Sequence, residues 1–183
     1  MIYFTSDLHF CHDREFLYQP RGFKSVYEMN ETIVKNWNEI IQPEDDVYVL
    51  GDLILNDNVT GLKLIKSLKG NIHVILGNHD TTERESLYDS CYNIVSINMA
   101  ERFKYDKFSF FLCHYPTLCG NYDDGKPLRN HTINLCGHTH TADKFADWDK
   151  GLIYHVELDA HNNAPVSIET IITDLKEKYY EGL

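Results

Sequence analysis

The sequence predicts an α/β fold in which two β-sheets pack together with helices outside. Three observations predict it. The first half alternates strand and helix patterns as βαβαβ, which implies a parallel sheet. From about residue 93 the pattern turns mainly to strands. Several short apolar runs in both halves lead directly into residues able to bind a metal ion.

The elements follow in chain order. Residues 1–6 (MIYFTS) read as a short apolar strand. Residues 25–41 carry Met29, Ile33, Trp37, Ile40 and Ile41 at helical spacing, with Pro43 just beyond, and predict an amphipathic helix. VYVLG, introduced by Asp46, reads as a buried strand. Residues 59–68 predict a helix stopped by Gly70 and Asn71, IHVIL a strand, and residues 82–90 a short helix. NIVSINMAERFKY and FSFFLCH predict strands joined by a turn near Asp106 and Lys107. INLCG, LIYHVEL and residues 166–171 add further strands, and residues 172–181 a polar terminal helix or tail. The 183 residues fit one domain, 1–183, since domains run to roughly 100–200 residues.

Composition narrows the function. The net charge of -11 argues against a long nucleic-acid groove, which is built from clustered Lys and Arg. It leaves room for a small phosphorylated substrate, because bound divalent cations make a site locally positive. Cys11, Cys91, Cys113, Cys119 and Cys136 are odd in number and form no CxxC pair. With no signal peptide and no long apolar run, the expectation is a cytoplasmic protein without disulfides or membrane contact. Cys113 and Cys136 lie in apolar runs and read as buried small hydrophobes.

Five apolar runs end in metal-competent residues. IYFTS leads into Asp7 and His9, VYVLG into Asp52, IHVILG into Asn78 and His79, FSFFLC into His114, and INLCG into His138 and His140. In open α/β sheets, sites form where loops leave the carboxyl ends of strands. Asp7 and His9, like His138 and His140, are two apart, and in extended backbone such side chains share a side. Gly51, Gly77 and Gly137 stand just before these donors and permit close backbone approach. The donors are all imidazole nitrogens or oxygens, which suit Mn, Fe, Zn, Ni or Co, with manganese the first expectation. Seven side chains exceed the four that a tetrahedral zinc takes. They suit two divalent metal ions clamping an in-line displacement at phosphorus, with a bridging hydroxide as the nucleophile.

The blocks DLH at 7–9, GD at 51–52, GNHD at 77–80, His114 and GHTH at 137–140 resemble the calcineurin-like metallophosphoesterase superfamily. The opening SDLHFCH is similar to a branch of compact bacterial, archaeal and phage phosphoesterases. The resemblance implies a four-layer αββα sandwich with two mixed β-sheets. It implies that Asp7, His9, Asp52 and His140 hold one metal, and that Asp52, Asn78, His114 and His138 hold the other. His79 would contact the phosphate or protonate the leaving oxygen, with Asp80 orienting it by hydrogen bond. Protein Ser/Thr phosphatases differ in two blocks: Asp52 is followed here by LILND, and GNHD stands in place of GNHE.

The expected activity is hydrolysis of a phosphodiester or phosphomonoester in a small cytosolic substrate. The alternatives are a nuclease and a non-catalytic metal-binding scaffold on the same fold. His12 and Arg21 are candidate substrate contacts; the alternatives are a solvated histidine and a surface charge. Tyr122, Lys126 and Arg129, in the polar loop 118–131, could also meet substrate. His73, His131, His155 and His161 read as surface or satisfied core residues.

Overall fold

A computed structural model describes residues 1–120 and 126–180. The strands are β1 (Ile2–Thr5), β2 (Asp46–Val49), β3 (Asn71–Ile75), β4 (Ile94–Asn98), β5 (Glu101–Tyr105), β6 (Phe108–Leu112), β7 (Thr132–Cys136), β8 (Ile153–His155) and β9 (Val166–Ser167). The helices are α1 (Glu15–Tyr18), α2 (Val26–Ile40), α3 (Asn58–Lys66), α4 (Thr82–Tyr88), α5 (Trp148–Gly151) and α6 (Ile168–Tyr180). Two mixed sheets result. The first has the order β4-β3-β2-β1-β9, parallel from β1 to β4, with β9 antiparallel to β1. The second has the order β5-β6-β7-β8, parallel except for β5.

Strand alternation divides the core in two. Tyr3, Val47, Val49, Ile72 and Val74 face one way, onto Met29, Ile33 and Trp37 of α2, Ile65 of α3 and Tyr88 of α4. Phe4, Tyr48, Leu50 and Ile75 face the other way, onto Phe103, Phe110, Ile133, Leu135 and Tyr154 of the second sheet. Each fully buried side chain of this kind contributes roughly 1.5–3 kcal/mol. Trp37 is fully buried, and its indole N–H donates to the Lys69 carbonyl at 2.9 Å, so no donor is stranded. The Ser25 side chain accepts from the Glu28 amide and starts α2 where the periodicity begins.

Two stretches differ from the sequence reading. NIVSINMAERFKY is split at Met99 and Ala100, so β4 closes the first sheet and β5 opens the second. Residues 166–171 form only a two-residue strand before α6 begins. The Ser167 hydroxyl accepts from the Thr170 amide at 3.1 Å and caps the new helix. Ile168, Ile171, Ile172 and Leu175 then fall on one helical face and enter the inter-sheet core. The four-residue helices α1 and α5 are too short for a periodic signal. All five cysteines are free; Cys136 is buried, whereas Cys113 is half-buried. Among the described residues, no helix is long and apolar enough to cross a membrane.

The four histidines without an expected role are hydrogen-bonded. His73 meets the Ser96 hydroxyl at 2.8 Å, His131 the Lys126 carbonyl at 3.1 Å, and His161 the His155 carbonyl at 2.9 Å. His155, wholly buried, lies between Asp147 Oδ2 at 3.0 Å and Glu157 Oε2 at 3.2 Å. Glu157 in turn accepts from the Thr139 hydroxyl at 3.0 Å and the Thr141 amide at 3.2 Å. This network ties the loop after β7 to the end of β8. Burial alone would lower the His155 pKa, but the hydrogen bond and charge of Glu157, aided by Asp147, outweigh it and raise the value.

A raised imidazole pKa stabilises the fold fully below the ordinary value of 6.5 and loses that effect as pH rises through the folded value. The melting temperature of wild type minus that of His155→Gln, measured with metal chelated, is therefore expected to be largest below pH 6.5 and to shrink above it. Each kcal/mol of difference moves the melting temperature by about 2–4 °C in a chain of this size. A difference that is flat across that range contradicts the assignment.

Candidate metal centre

The candidate donors stand on five loops at the carboxyl ends of β1, β2, β3, β6 and β7. Ladder-like bonds continue past the strands and fix these loops. The Asp7 amide donates to the Gly51 carbonyl at 3.0 Å, the His9 amide to Asp52 at 2.9 Å, and the Gly137 amide to His114 at 3.0 Å. A bridge between Ser6 and Glu157 joins the two sheets at this end. Asp7 Oδ2 reaches across the same seam, accepting from the His138 amide at 2.9 Å and the Ser6 hydroxyl at 2.6 Å.

The paired donors do converge, but extended backbone is not the reason. Asp7, His9, Asp52, His138 and His140 have φ of 57°, 47°, 58°, 77° and 52°. These are left-handed conformations, which cost non-glycine residues roughly 1–3 kcal/mol each and cluster at functional sites. The loops turn tightly enough that glycine is required beside them. A Cβ at Gly137 would collide with Ser6 Oγ and Asp7 Oδ2, and one at Gly77 with Asp52 Oδ1.

Two donor groups emerge. His9 Nε2 lies 3.6 Å from Asp7 Oδ1, 3.2 Å from His140 Nε2 and 3.7 Å from Asp52 Oδ2. His114 Nε2 lies 3.5 Å from Asp52 Oδ2, 2.9 Å from Asn78 Oδ1 and 3.2 Å from His138 Nδ1. By mutual proximity, Asp7 groups with His9 and His140 and also with Asp52 and His114. The oxygens of the two carboxylates differ in their partners. Asp7 Oδ2 is engaged by Ser6 and His138, and its Oδ1 faces His9 and His140. Asp52 Oδ1 accepts the His79 amide at 2.8 Å, which leaves Oδ2 between the two groups.

These groups fit divalent cations. Asp7 Oδ1 is fully buried without a hydrogen-bond partner, a costly state for a carboxylate that a cation would relieve. Burial works against the Asp7 charge, yet the neighbouring imidazoles of His9 and His140 hold its pKa well below the ordinary range. Burial pushes Asp52 up against the opposing pull of His114. Burial lowers His9 despite Asp7, and lowers His138 together with His114. Neutral imidazole is the metal-binding form.

Of the candidate catalytic pair, His79 is half-buried, with its ring 5.5 Å from that of His9. Asp80 is a correction. Its carboxylate does not bond the His79 ring. Oδ2 accepts the amides of Asp52 at 2.7 Å and Gly77 at 2.9 Å, and Oδ1 accepts the Leu53 amide at 3.2 Å and the Tyr88 hydroxyl at 2.6 Å. Asp80 therefore fixes the loops that carry Asp52 and Asn78. Arg21 is a second correction. It is neither a surface charge nor a phosphate grip, because its side chain is wholly buried and its guanidinium is bound to Asp159 and the Asp7 carbonyl.

His12 is buried, with its ring 5.2 Å from His9 and 6.4 Å from His79. Burial, then the neighbouring His9 and His79, lower its pKa to about 4, so it is neutral. Phe16 packs edge-on against it and is otherwise exposed. Lys126 and Arg129 are exposed, and Tyr122 lies outside the described residues. The sequence did not point to Tyr88, Glu157 and Asp159, which act at the site through Asp80, Thr139 and Arg21. Only Tyr88, following Asp80 on the next helix, offered a local signal.

Comparison with known proteins places the chain in a family. A model of the calcineurin-like phosphoesterase superfamily domain matches residues 1–156. The uncharacterized protein MJ1445 of Methanocaldococcus jannaschii is 32% identical over 178 residues, covering 93% of this chain and 89% of that protein. The gene 66 protein of Mycobacterium phage L5 is 35% identical over 82 residues, covering 43% of this chain and 39% of that protein. The solved structure of the protein of unknown function AQ665 from Aquifex aeolicus superposes with a TM-score of 0.72 at 25% identity, covering 94% of this chain and 98% of that one. By the extent of the family match and the likeness to its archaeal relative, the chain belongs to the calcineurin-like phosphoesterase superfamily.

Proposed function

We propose that the protein is a dinuclear metal-dependent phosphoesterase that hydrolyses a small phosphorylated substrate, a phosphodiester before a phosphomonoester. The observation that carries this reading is Asp52 Oδ2, which lies 3.7 Å from His9 Nε2 and 3.5 Å from His114 Nε2. Asp7, His9, Asp52 and His140 would hold one ion, and Asp52, Asn78, His114 and His138 the other. Divalent ions there, manganese first, would supply an acidified water and neutralise phosphoryl charge.

The chain's own residues do the rest. His79 stands beside the donors but bonds none of them through its ring, so it is free to meet a phosphoryl oxygen or carry a proton to the leaving oxygen. The Asp52 carboxylate holds the His79 backbone at 2.8 Å and sets where that ring starts. His12, neutral beside His9 and His79, can offer one N–H to that cluster. Asn78 and His140 are the exposed donors, so substrate enters from their side.

Hydrolysis of an activated aryl phosphodiester is expected to rise with added manganese and to stop on chelation. Full turnover by protein shown by elemental analysis to be metal-free would overturn the reading. His79→Ala is expected to lower kcat by about 10²–10⁴-fold while keeping two ions per chain. Loss of an ion, or wild-type kcat on a substrate with a poor leaving group, would remove His79 from its proposed task.

A further inference from the structure

We infer that Arg21 and Asp159 form a positioning pair that sets the affinity of one ion, the one assigned above to Asp7, His9, Asp52 and His140. The inference rests on that assignment. Arg21 lies in the loop after α1, and Asp159 follows β8, so the pair joins the two sheets beside the donors. The guanidinium grips Asp159 with two parallel bonds, Nε to Oδ1 at 3.1 Å and Nη2 to Oδ2 at 2.7 Å. A planar fork of this kind fixes the plane of the carboxylate as well as its position. The Arg21 side chain is 0% exposed and that of Asp159 is 11% exposed, so water competes little for the pair.

Each partner then acts on a different donor. Arg21 Nη2 donates to the backbone carbonyl of Asp7 at 2.9 Å, which helps hold that residue in its left-handed conformation. Asp159 Oδ2 lies 3.2 Å from His140 Nδ1. His140 Nε2 faces His9 Nε2 at 3.2 Å and Asp7 Oδ1 at 3.7 Å. An Nδ1–H donated to Asp159 leaves the Nε2 lone pair pointing into the donor group. A carboxylate behind a ligating imidazole fixes tautomer and ring orientation, and its loss costs a typical site 10–100-fold in metal affinity. Arg21 Nη2 also lies 3.2 Å from His140 Nδ1. In this tautomer both groups are donors, so that approach is a contact within the fork and not a bond. Among the described residues no comparable charged pair backs His114, whose Nδ1 meets the Leu50 carbonyl at 2.8 Å. The effect should therefore be confined to one ion.

The test is calorimetric titration of chelator-stripped protein with Mn²⁺, with bound metal counted by elemental analysis. Wild type is expected to take two ions. Asp159→Ala is expected to bind one of them 10–100-fold more weakly and the other unchanged. Asp159→Asn keeps an acceptor for the imidazole N–H and should recover part of the loss. In a His140→Ala background, Asp159→Ala should cost little further affinity, because residues acting through one another are not additive. Arg21→Lys keeps the charge and loses the fork, and should reproduce the selective weakening; it also serves if Asp159→Ala does not fold. Two ions bound as in wild type by Asp159→Ala and Arg21→Lys would overturn the positioning role and leave the dinuclear reading standing. An equal loss with and without His140 would overturn it as well. Wild type that binds fewer than two ions would overturn both.

Discussion

Asp80 accepts the amides of Asp52, Leu53 and Gly77 and the hydroxyl of Tyr88, and the site is arranged around that buried carboxylate. Its two oxygens draw the loops after β2 and β3 together. Asp52 is thereby held in a left-handed conformation, with Oδ1 under the His79 amide and Oδ2 turned toward both donor groups. Gly77 must lack a side chain because Asp52 Oδ1 occupies the space a Cβ would need. One residue next to the proposed catalytic histidine thus acts by shaping the backbone of two donors. A buried acceptor left without these donors, or the amides left without it, would carry the full cost of unpaired polar groups.

The second half of the site is held by a separate set of contacts. Asp7 bonds the His138 amide, Ser6 pairs with Glu157, and Glu157 fastens Thr139 and Thr141. Arg21 and Asp159 cross the same seam. The two sheets therefore meet through polar contacts at the end where the strands finish, and through Phe4, Tyr48, Phe110 and Leu135 below. Apolar packing sets the distance between the sheets, while the polar seam sets the register of the loops. Function is placed on irregular backbone, but the backbone is locked from both sides.

Much of this was legible in the sequence. Short apolar strands record their own alternation, and the donors at their ends occur as residue types that have little other use there. What was lost depends on distant partners. NIVSINMAERFKY shows alternation without saying that Ile94 pairs with β3 while Glu101 pairs with β6. The β-branched Ile168 and Ile171 read as strand until Ser167 is recognised as a cap. The spacing of Asp7 and His9 announced convergence but suggested the wrong backbone, since two left-handed residues and an extended pair give the same count. Arg21 finds Asp159 across 138 positions, a pairing that no local pattern carries. His155 read as a surface or satisfied core residue, and its tie to the loop of His138 and His140 needed three-dimensional neighbours.

In the function proposed above, two cation positions share the Oδ2 oxygen of Asp52. Anomalous diffraction from crystals grown with Mn²⁺ measures this directly. Two peaks are expected with that oxygen between them, one against Asp7, His9 and His140 and the other against Asn78, His114 and His138. A single peak among Asp7, Asp52 and His114, or two peaks shared through Asp7 instead, would contradict it.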